Sequence, residues 1–321
     1  MQYRKLGRTG LDISEFTFGG GWVGGILIHQ DEDIRARAIE RALAAGCNWI
    51  DTAALYGQGQ SETHLGEIFR EGSGRKAHLS TKFRLDTQSR EDRASQIRRA
   101  LEESLRRLRM DRVALYQLHN PLGDGSDNTV TAREALEIAE ILEELRAEGL
   151  FDFIGFTALG DTAGILEVID ARRYETAQVY YNMLNQSAGT DAAPAWGGQD
   201  FSGILAACEA TQTGVMNIRV LAAGVLATDE RHGREVIAAS DSALDAEEKR
   251  ASALFGRIGT LSGSRAQSAI RFSLAEPRLS TVVVGLASLD HLDEALAAFE
   301  KGPLDAIDRE AVLACQETSL S

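Results

Sequence analysis

Apolar residues fall along this chain in two rhythms. Short runs such as Phe16-Thr17-Phe18-Gly19, Val113 to Leu118 and Thr281 to Val284 have the length and the β-branched and aromatic content of buried strands. Between such runs, apolar positions recur every three or four residues. The clearest case is Ile97, Leu101, Leu105 and Leu108, one stripe between charged faces of a helix expected over Ser89 to Arg109.

Residues 2 to 14 read as a hairpin, after which the chain repeats a strand-and-helix unit. Strand Phe16 to Gly19 precedes helix Asp31 to Ala45, and Trp49-Ile50 precede helix Glu62 to Arg70. His78 to Thr81 precede the Ser89 helix, and Val113 to Leu118 precede helix Thr131 to Ala147. In the second half, Phe153-Ile154 pair with helix Thr162 to Ile169, and Ala177 to Tyr180 with Phe201 to Ala210. Val215 to Val220 then lead to helices in 245 to 275, and Thr281 to Val284 to Leu289 to Phe299. The tally is that of a (β/α)8 barrel, an α/β fold of the TIM type. A doubly wound sheet would carry G-x-G-x-x-G in its first strand-to-helix turn; Gly19-Gly20-Gly21-Trp22 neither matches nor leads into a helix. No linker or low-complexity tract breaks the pattern, so residues 1 to 321 read as a single domain.

Two connections, 181 to 200 and roughly 226 to 245, are longer than a barrel needs. Both follow strands and so belong to the rim where barrel enzymes build their sites. The polar stretch 228 to 245 suits a disordered insertion, whereas 181 to 200 carries Tyr181, Met183, Leu184 and Trp196.

Parallel strands also bring their C-terminal ends to that one rim. Asp51-Thr52-Ala53-Ala54-Leu55-Tyr56-Gly57, Ser80-Thr81-Lys82-Phe83 and Tyr116-Gln117-Leu118-His119-Asn120-Pro121 each end an apolar run. Asp51, Tyr56, Lys82 and His119 are therefore expected to converge. A phenol alone releases its proton reluctantly at neutral pH, its ordinary pKa being about 10. An ammonium beside it favours the phenolate, and a carboxylate keeps that ammonium charged and in place. Lys82 and Asp51 fit those two roles. Tyr56 could then protonate a carbonyl oxygen while His119 orients it.

Composition narrows the partners. The formal charge is 34 − 48 = −14, which argues against nucleic acid or an anionic membrane surface. Only five of the 34 basic residues are lysine, so Lys82 at a strand end is less easily a random surface charge. Cys47, Cys208 and Cys315 are few, odd in number and without C-x-x-C spacing, as in a reducing compartment. No signal-peptide core or membrane-length apolar run is present, and a cytoplasmic protein is expected.

Over nearly its whole length the chain resembles the aldo-keto reductase family. The resemblance rests on Tyr3-Arg4-Lys5-Leu6-Gly7-Arg8-Thr9-Gly10-Leu11 with Ser14, on Asp51-Thr52-Ala53 through Tyr56-Gly57 with Ser61-Glu62 and Leu65-Gly66, on Thr81-Lys82, and on Tyr116-Gln117-Leu118-His119. It implies an NAD(P)H-dependent oxidoreductase that interconverts a carbonyl (aldehyde, ketone or aldose) and an alcohol. Tyr56 is then the general acid, Asp51 and Lys82 tune it, and His119 orients substrate. The resemblance also implies cofactor contacts at Gly20, Gly21, Asp51, Thr157 and Gln178, with Gln178 holding the nicotinamide carboxamide. Where the family stacks a tyrosine on nicotinamide, this chain has Ile218-Arg219-Val220-Leu221. The small-residue turn Ala222, Gly224, Leu226 is kept for the pyrophosphate, and Gly285, Ser288, His291 and Glu294 would serve the adenosine end. Residues 285 to 292 contain no lysine or arginine and do contain Asp290, so NAD(H) is expected to be accepted.

Trp22, Tyr181 and Trp196, beside Tyr56 and His119, are expected pocket walls for a small-molecule substrate. A metal-dependent barrel would need clustered ligands, and His29, His64, His78, His232 and His291 do not recur at neighbouring strand ends, so no metal is expected. A barrel that binds nicotinamide cofactor as a sensor, with little turnover, is the alternative.

Overall fold

An antiparallel hairpin, β1 (Tyr3–Lys5) and β2 (Asp12–Ser14), opens the chain with Tyr3 opposite Ser14. The computed structural model describes residues 1–70, 77–194, 197–231, 233, 244–259 and 261–317. Eight parallel strands close into a barrel: β3 (Phe16–Gly19), β4 (Trp49–Asp51), β5 (His78–Phe83), β6 (Val113–Leu118), β7 (Phe151–Ala158), β8 (Thr176–Tyr180), β9 (Gly214–Ile218) and β10 (Thr281–Gly285), with β10 pairing back onto β3. The helices are α1 (Ile26–His29), α2 (Glu32–Ala44), α3 (Gln60–Arg70), α4 (Arg93–Leu108), α5 (Ala132–Arg146), α6 (Thr162–Asp170), α7 (Ile204–Thr211), α8 (Leu244–Ile258), α9 (Arg265–Leu274), α10 (Leu289–Lys301) and α11 (Ala306–Glu317). The expected (β/α)8 architecture is present.

Two apolar layers hold it. The outer one lies between strands and helices and takes in the α4 stripe, with Ile97, Leu101 and Leu108 all fully buried. Each such side chain contributes about 1.5–3 kcal/mol on leaving water. The inner one joins Leu6 and Ile13 of the hairpin to Trp49, Leu115 and Met216 inside the barrel. The hairpin turn presses on the first residue of β9, where a Cβ on Gly7 would stand 2.2 Å from the Gly214 nitrogen. The N-terminal mouth is thus closed, and only the opposite rim is left for chemistry.

Helix starts follow local capping chemistry. Asp31, Asp92, Asp161 and Ser288 each accept a hydrogen bond from a backbone N–H of the first turn, and Thr131 and Ser264 form capping boxes with Glu134 and Gln267. Asp92 explains why α4 begins at Arg93 and not at Ser89.

Several boundaries differ from the sequence pattern. β5 runs on to Phe83, so Lys82 lies within the strand, and β7 is eight residues long because Phe151 and Phe156 to Ala158 also pair with neighbours. β9 stops at Ile218, since Arg219 takes a left-handed φ of 63° and turns the chain out of the sheet. The helix expected from Phe201 starts at Ile204, after Gly203 at φ 79°. The glycine run after β3 does lead into a helix, the single turn α1, seated by the Ile26 N–H on the Leu286 carbonyl (2.9 Å). α11 was not anticipated because its pattern is weak: Val312 is buried while Ile307 is 81% exposed.

The 181 to 194 connection is ordered by asparagines. Asn182 Oδ1 accepts from the Leu184 and Asn185 N–H groups, and Asn185 Oδ1 from Ser187. Most of the polar stretch 228 to 245 lies outside the described residues. Among the described residues no helix is long and apolar enough to cross a membrane.

Packing of α3 on α4 is close enough to test. A Cβ on Gly66 would stand 2.3 Å from the Arg107 carbonyl oxygen, whereas Gly256 in α8 has nothing within 4 Å. Gly66→Ala should lower stability by about 1–3 kcal/mol, and Gly256→Ala should raise it by about 0.5–1 kcal/mol. Urea unfolding of both variants measures this. A Gly66→Ala midpoint equal to that of the parent would mean that α3 is free to move off α4.

Candidate active site

Lys82 is the centre of the open rim. It is fully buried, and its Nζ donates to Asp51 Oδ2 (2.6 Å), the Thr52 carbonyl (2.9 Å) and Tyr56 Oη (3.0 Å). All three ammonium protons therefore have acceptors. Burial alone would lower the Lys82 pKa, but the charge and hydrogen bonds of Asp51, then Tyr56, outweigh it and leave the pKa above the ordinary lysine value. Lys82 stays a cation. Alternation along β5 places these groups: Ser80 and Lys82 face the barrel interior, while Thr81 between them faces outward.

Asp51, the last residue of β4, is held on both oxygens. Besides Lys82 on Oδ2, its Oδ1 accepts from Ser80 Oγ (2.7 Å), Gln178 Nε2 (2.9 Å) and Gln117 Nε2 (3.2 Å). Sequence reading named Asp51 and Gln178 but gave no role to Ser80 or Gln117. The two-residue spacing of Ser80 from Lys82, which puts both on one face, was the available signal.

Tyr56 sits on a turn braced from two sides. Thr52 and Ser61 share a hydroxyl hydrogen bond of 2.8 Å across it. Glu62, fully buried in the first turn of α3, accepts from Thr81 Oγ1 (2.5 Å) and from Arg107 Nε (2.6 Å), tying α3 to β5 and α4. Asn120 joins the loops beyond β5 and β6 by accepting from the Leu85 N–H (2.8 Å) and donating to the Leu85 and Asn128 carbonyls.

His119 follows β6, its N–H bonded to the Phe83 carbonyl (2.8 Å) and its ring edge-on to Tyr56 with centroids 5.9 Å apart. Its Nδ1 is buried with no hydrogen-bond partner. Burial, and then the positive charge of Lys82, Arg84 and Arg219, hold its pKa well below the ordinary imidazole value. His119 is a neutral group at physiological pH. The four residues expected to converge do so.

The expected cofactor contacts divide into two groups. Around the four residues the site suits a carboxamide-bearing ring. Thr157 Oγ1 is buried without a partner, Gln178 is beside Asp51, and a Cβ on Gly21 would come within 3.8 Å of the Tyr56 ring, so glycine leaves that face open. Gly20 is closely packed, its Cβ position 2.7 Å from Ser61 Oγ. Burial lowers the pKa of Arg219, partly opposed by its nearness to Tyr180, Tyr56 and Glu247, so it lies beside the open rim.

Farther out, several of the expected contact residues also have partners within the protein. The N–H groups of Ala222, Gly224 and Leu226 bond within their own turn, to Arg219 and Leu221, and do not point outward to a pyrophosphate. The Ser288 hydroxyl accepts from the His291 N–H as the cap of α10, and the Glu294 carbonyl accepts from Gln267. The Arg265 guanidinium is engaged by Asp229 Oδ1 and the Val225 carbonyl. Tyr181 is no pocket wall, being buried and stacked on Phe272 with centroids 5.5 Å apart. Trp22 is 40% exposed and packs edge-on against His29. Trp196 lies outside the described residues.

Comparison with known proteins bears on the family and the fold. The family model described as "Aldo/keto reductase family" matches residues 16–317. An L-galactose dehydrogenase from Arabidopsis thaliana is 25% identical over 317 residues, 97% of this chain and 92% of that protein. A D-threo-aldose 1-dehydrogenase from a Pseudomonas species is 28% identical over 254 residues, covering 70% and 72% of the two chains. Among solved structures, the holo form of an aldo-keto reductase from Bacillus halodurans superposes with a TM-score of 0.75 at 24% identity, covering 98% of this chain and 96% of that one, which shows the shared fold.

The neutral His119 has a measurable consequence. On unfolding it becomes an ordinary imidazole that takes up a proton near about pH 6.5. The folded residue does so only at lower pH, so the unfolded state binds more protons in between. Stability is then lost as pH falls from about 6.5 through the folded value. His119→Asn removes that contribution. Its urea midpoint should fall less than the parent's between about pH 7.5 and about pH 5. Equal falls in the two proteins would mean that His119 titrates normally in the folded state.

Proposed function

The chain belongs to the aldo-keto reductase family, and from that premise we propose that it interconverts a carbonyl and an alcohol, with Tyr56 giving or taking the proton. The observation that carries the reading is the threefold engagement of Lys82 by Asp51, Thr52 and Tyr56. When bound, the family's nicotinamide cofactor supplies or accepts the hydride at the carbonyl carbon. Thr157 and Gln178 would hold its carboxamide end, and Gly21 leaves room beside the phenol.

The chain's own residues handle the oxygen. In reduction, negative charge grows on the carbonyl oxygen, and Tyr56 Oη passes its proton there while Lys82 stabilises the phenolate left behind. His119, being neutral, offers that oxygen a hydrogen bond without adding charge. Oxidation runs the same proton path backwards, with the phenolate as base. Asp51 has both oxygens committed to protein donors, which favours this role over metal ligation.

Aldoses are the substrate class best supported, since two similar proteins carry the names of aldose dehydrogenases. A sensor without turnover would not require a buried ammonium aimed at a phenol. NAD(H) is the cofactor we infer to be accepted. No lysine or arginine lies at residues 285 to 292, and the nearby Arg265 is engaged by Asp229 and the Val225 carbonyl.

Three measurements follow. Tyr56→Phe should keep the fold and the cofactor affinity while lowering turnover of an active aldehyde by about 10²- to 10⁴-fold; near-parental turnover would remove Tyr56 from the chemistry. Lys82→Met should abolish most turnover and lower stability by about 3–5 kcal/mol, because it leaves the Asp51 carboxylate buried and unpaired. Unchanged activity and pH profile would show that the ammonium does not tune the phenol. With NADH and NADPH compared at one ionic strength, kcat/KM should favour NADPH by less than about 100-fold, or about 2.7 kcal/mol. A larger ratio would reveal a basic residue serving the 2′-phosphate.

A further inference from the structure

Asp51 receives more donors than its pairing with Lys82 needs. Ser80 accepts from the Trp49 indole Nε1 (3.0 Å) and donates its one proton to Asp51 Oδ1 (2.7 Å), with both residues fully buried. An indole N–H can only donate, so the bond from Trp49 leaves the Ser80 hydroxyl to point at the carboxylate. Gln117, also fully buried, donates to the same oxygen at 3.2 Å, yet its own Oε1 has no partner. An unsatisfied buried carbonyl is destabilising, a cost that a leucine of similar size would not incur. Gln117 thus sits where stability alone would favour an apolar side chain.

We infer that Ser80 and Gln117, with Trp49 behind Ser80, are positioning residues that fix Asp51 by its Oδ1 and thereby direct Oδ2 to Lys82. This rests on the reading of Tyr56 as the proton-transfer group. Three donors on one oxygen leave the carboxylate little freedom to rotate. They also offset part of its charge, so Asp51 draws less on Lys82 and the ammonium remains available to the phenolate. The charged and titratable groups around the phenol are Lys82 from β5, Asp51 from β4 and Arg219 after β9, with neutral His119 from β6 and Arg84 beyond it. Removing a donor from Oδ1 leaves more negative charge beside Lys82. The phenolate is then less favoured, and Tyr56 titrates at higher pH.

The test uses the full chain in the parent, Ser80→Ala, Ser80→Thr and Gln117→Leu forms. Titration of Tyr56 is read from tyrosinate ultraviolet absorbance, each form referenced to its own Tyr56→Phe counterpart, so this readout does not depend on turnover. Ser80→Ala and Gln117→Leu should move the titration to higher pH, and Ser80→Thr, which keeps the hydroxyl, should restore it. The basic limb of carbonyl reduction should move the same way, with kcat lower by about tenfold or more and the cofactor KM unchanged. Gln117→Leu should lose this activity while its thermal midpoint stays level or rises, a combination that a packing role would not give. An unmoved titration in both Ser80→Ala and Gln117→Leu overturns the inference, as does a Ser80→Thr form displaced as far as Ser80→Ala. If the parent turns over no aldehyde, the functional reading fails by itself, because the titration still decides the role of Ser80 and Gln117.

Discussion

The buried ion pair between Lys82 and Asp51 is the constraint around which the open end of the barrel is arranged. At 2.6 Å, with both side chains almost wholly out of water, neither charge tolerates the loss of its partner. Such a pair is weak evidence for stability as such, since an apolar pair of the same volume often does as well. Its presence in the barrel mouth is better explained by chemistry, because it keeps an ammonium charged beside a phenol where water cannot screen it.

Much of the surrounding structure follows from that requirement. The ammonium needs three acceptors, so the Thr52 carbonyl and Tyr56 Oη must both face it, and the turn from 52 to 60 is braced by Ser61 and Glu62. The carboxylate needs donors on its second oxygen, and three strands supply them through Ser80, Gln117 and Gln178. The same positive charge, added to burial, keeps His119 neutral. Burial and that charge together set the protonation of a group just beyond a third strand.

The outer parts of the rim follow different rules. Backbone N–H groups in the 222 to 226 turn close on that turn, and Ser288 caps α10. These are local solutions to the general need for buried or terminal backbone groups to find partners. They obey local hydrogen-bond geometry, whereas the groups around Lys82 are set by contacts between strands.

Sequence by itself determined the number and order of strands, the helices with strong periodicity such as α4, and the four residues of the central cluster, because apolar spacing and barrel topology fix which strand ends share a rim. It left open what depends on contacts between distant segments. Tyr181 looked like a pocket wall from its place after β8, yet it is buried against Phe272 of α9, ninety-one residues away by number, a contact no local pattern encodes. Ser80 and Gln117 have no role readable from spacing alone; pairing of β5 with β4 and β6 turns both toward one oxygen of Asp51. α11 is weakly patterned for a related reason: among its described side chains Val312 alone is fully buried, and it packs into the main core cluster. Local spacing carries the periodicity of an element, whereas the partner of each polar atom is decided only when the sheet closes.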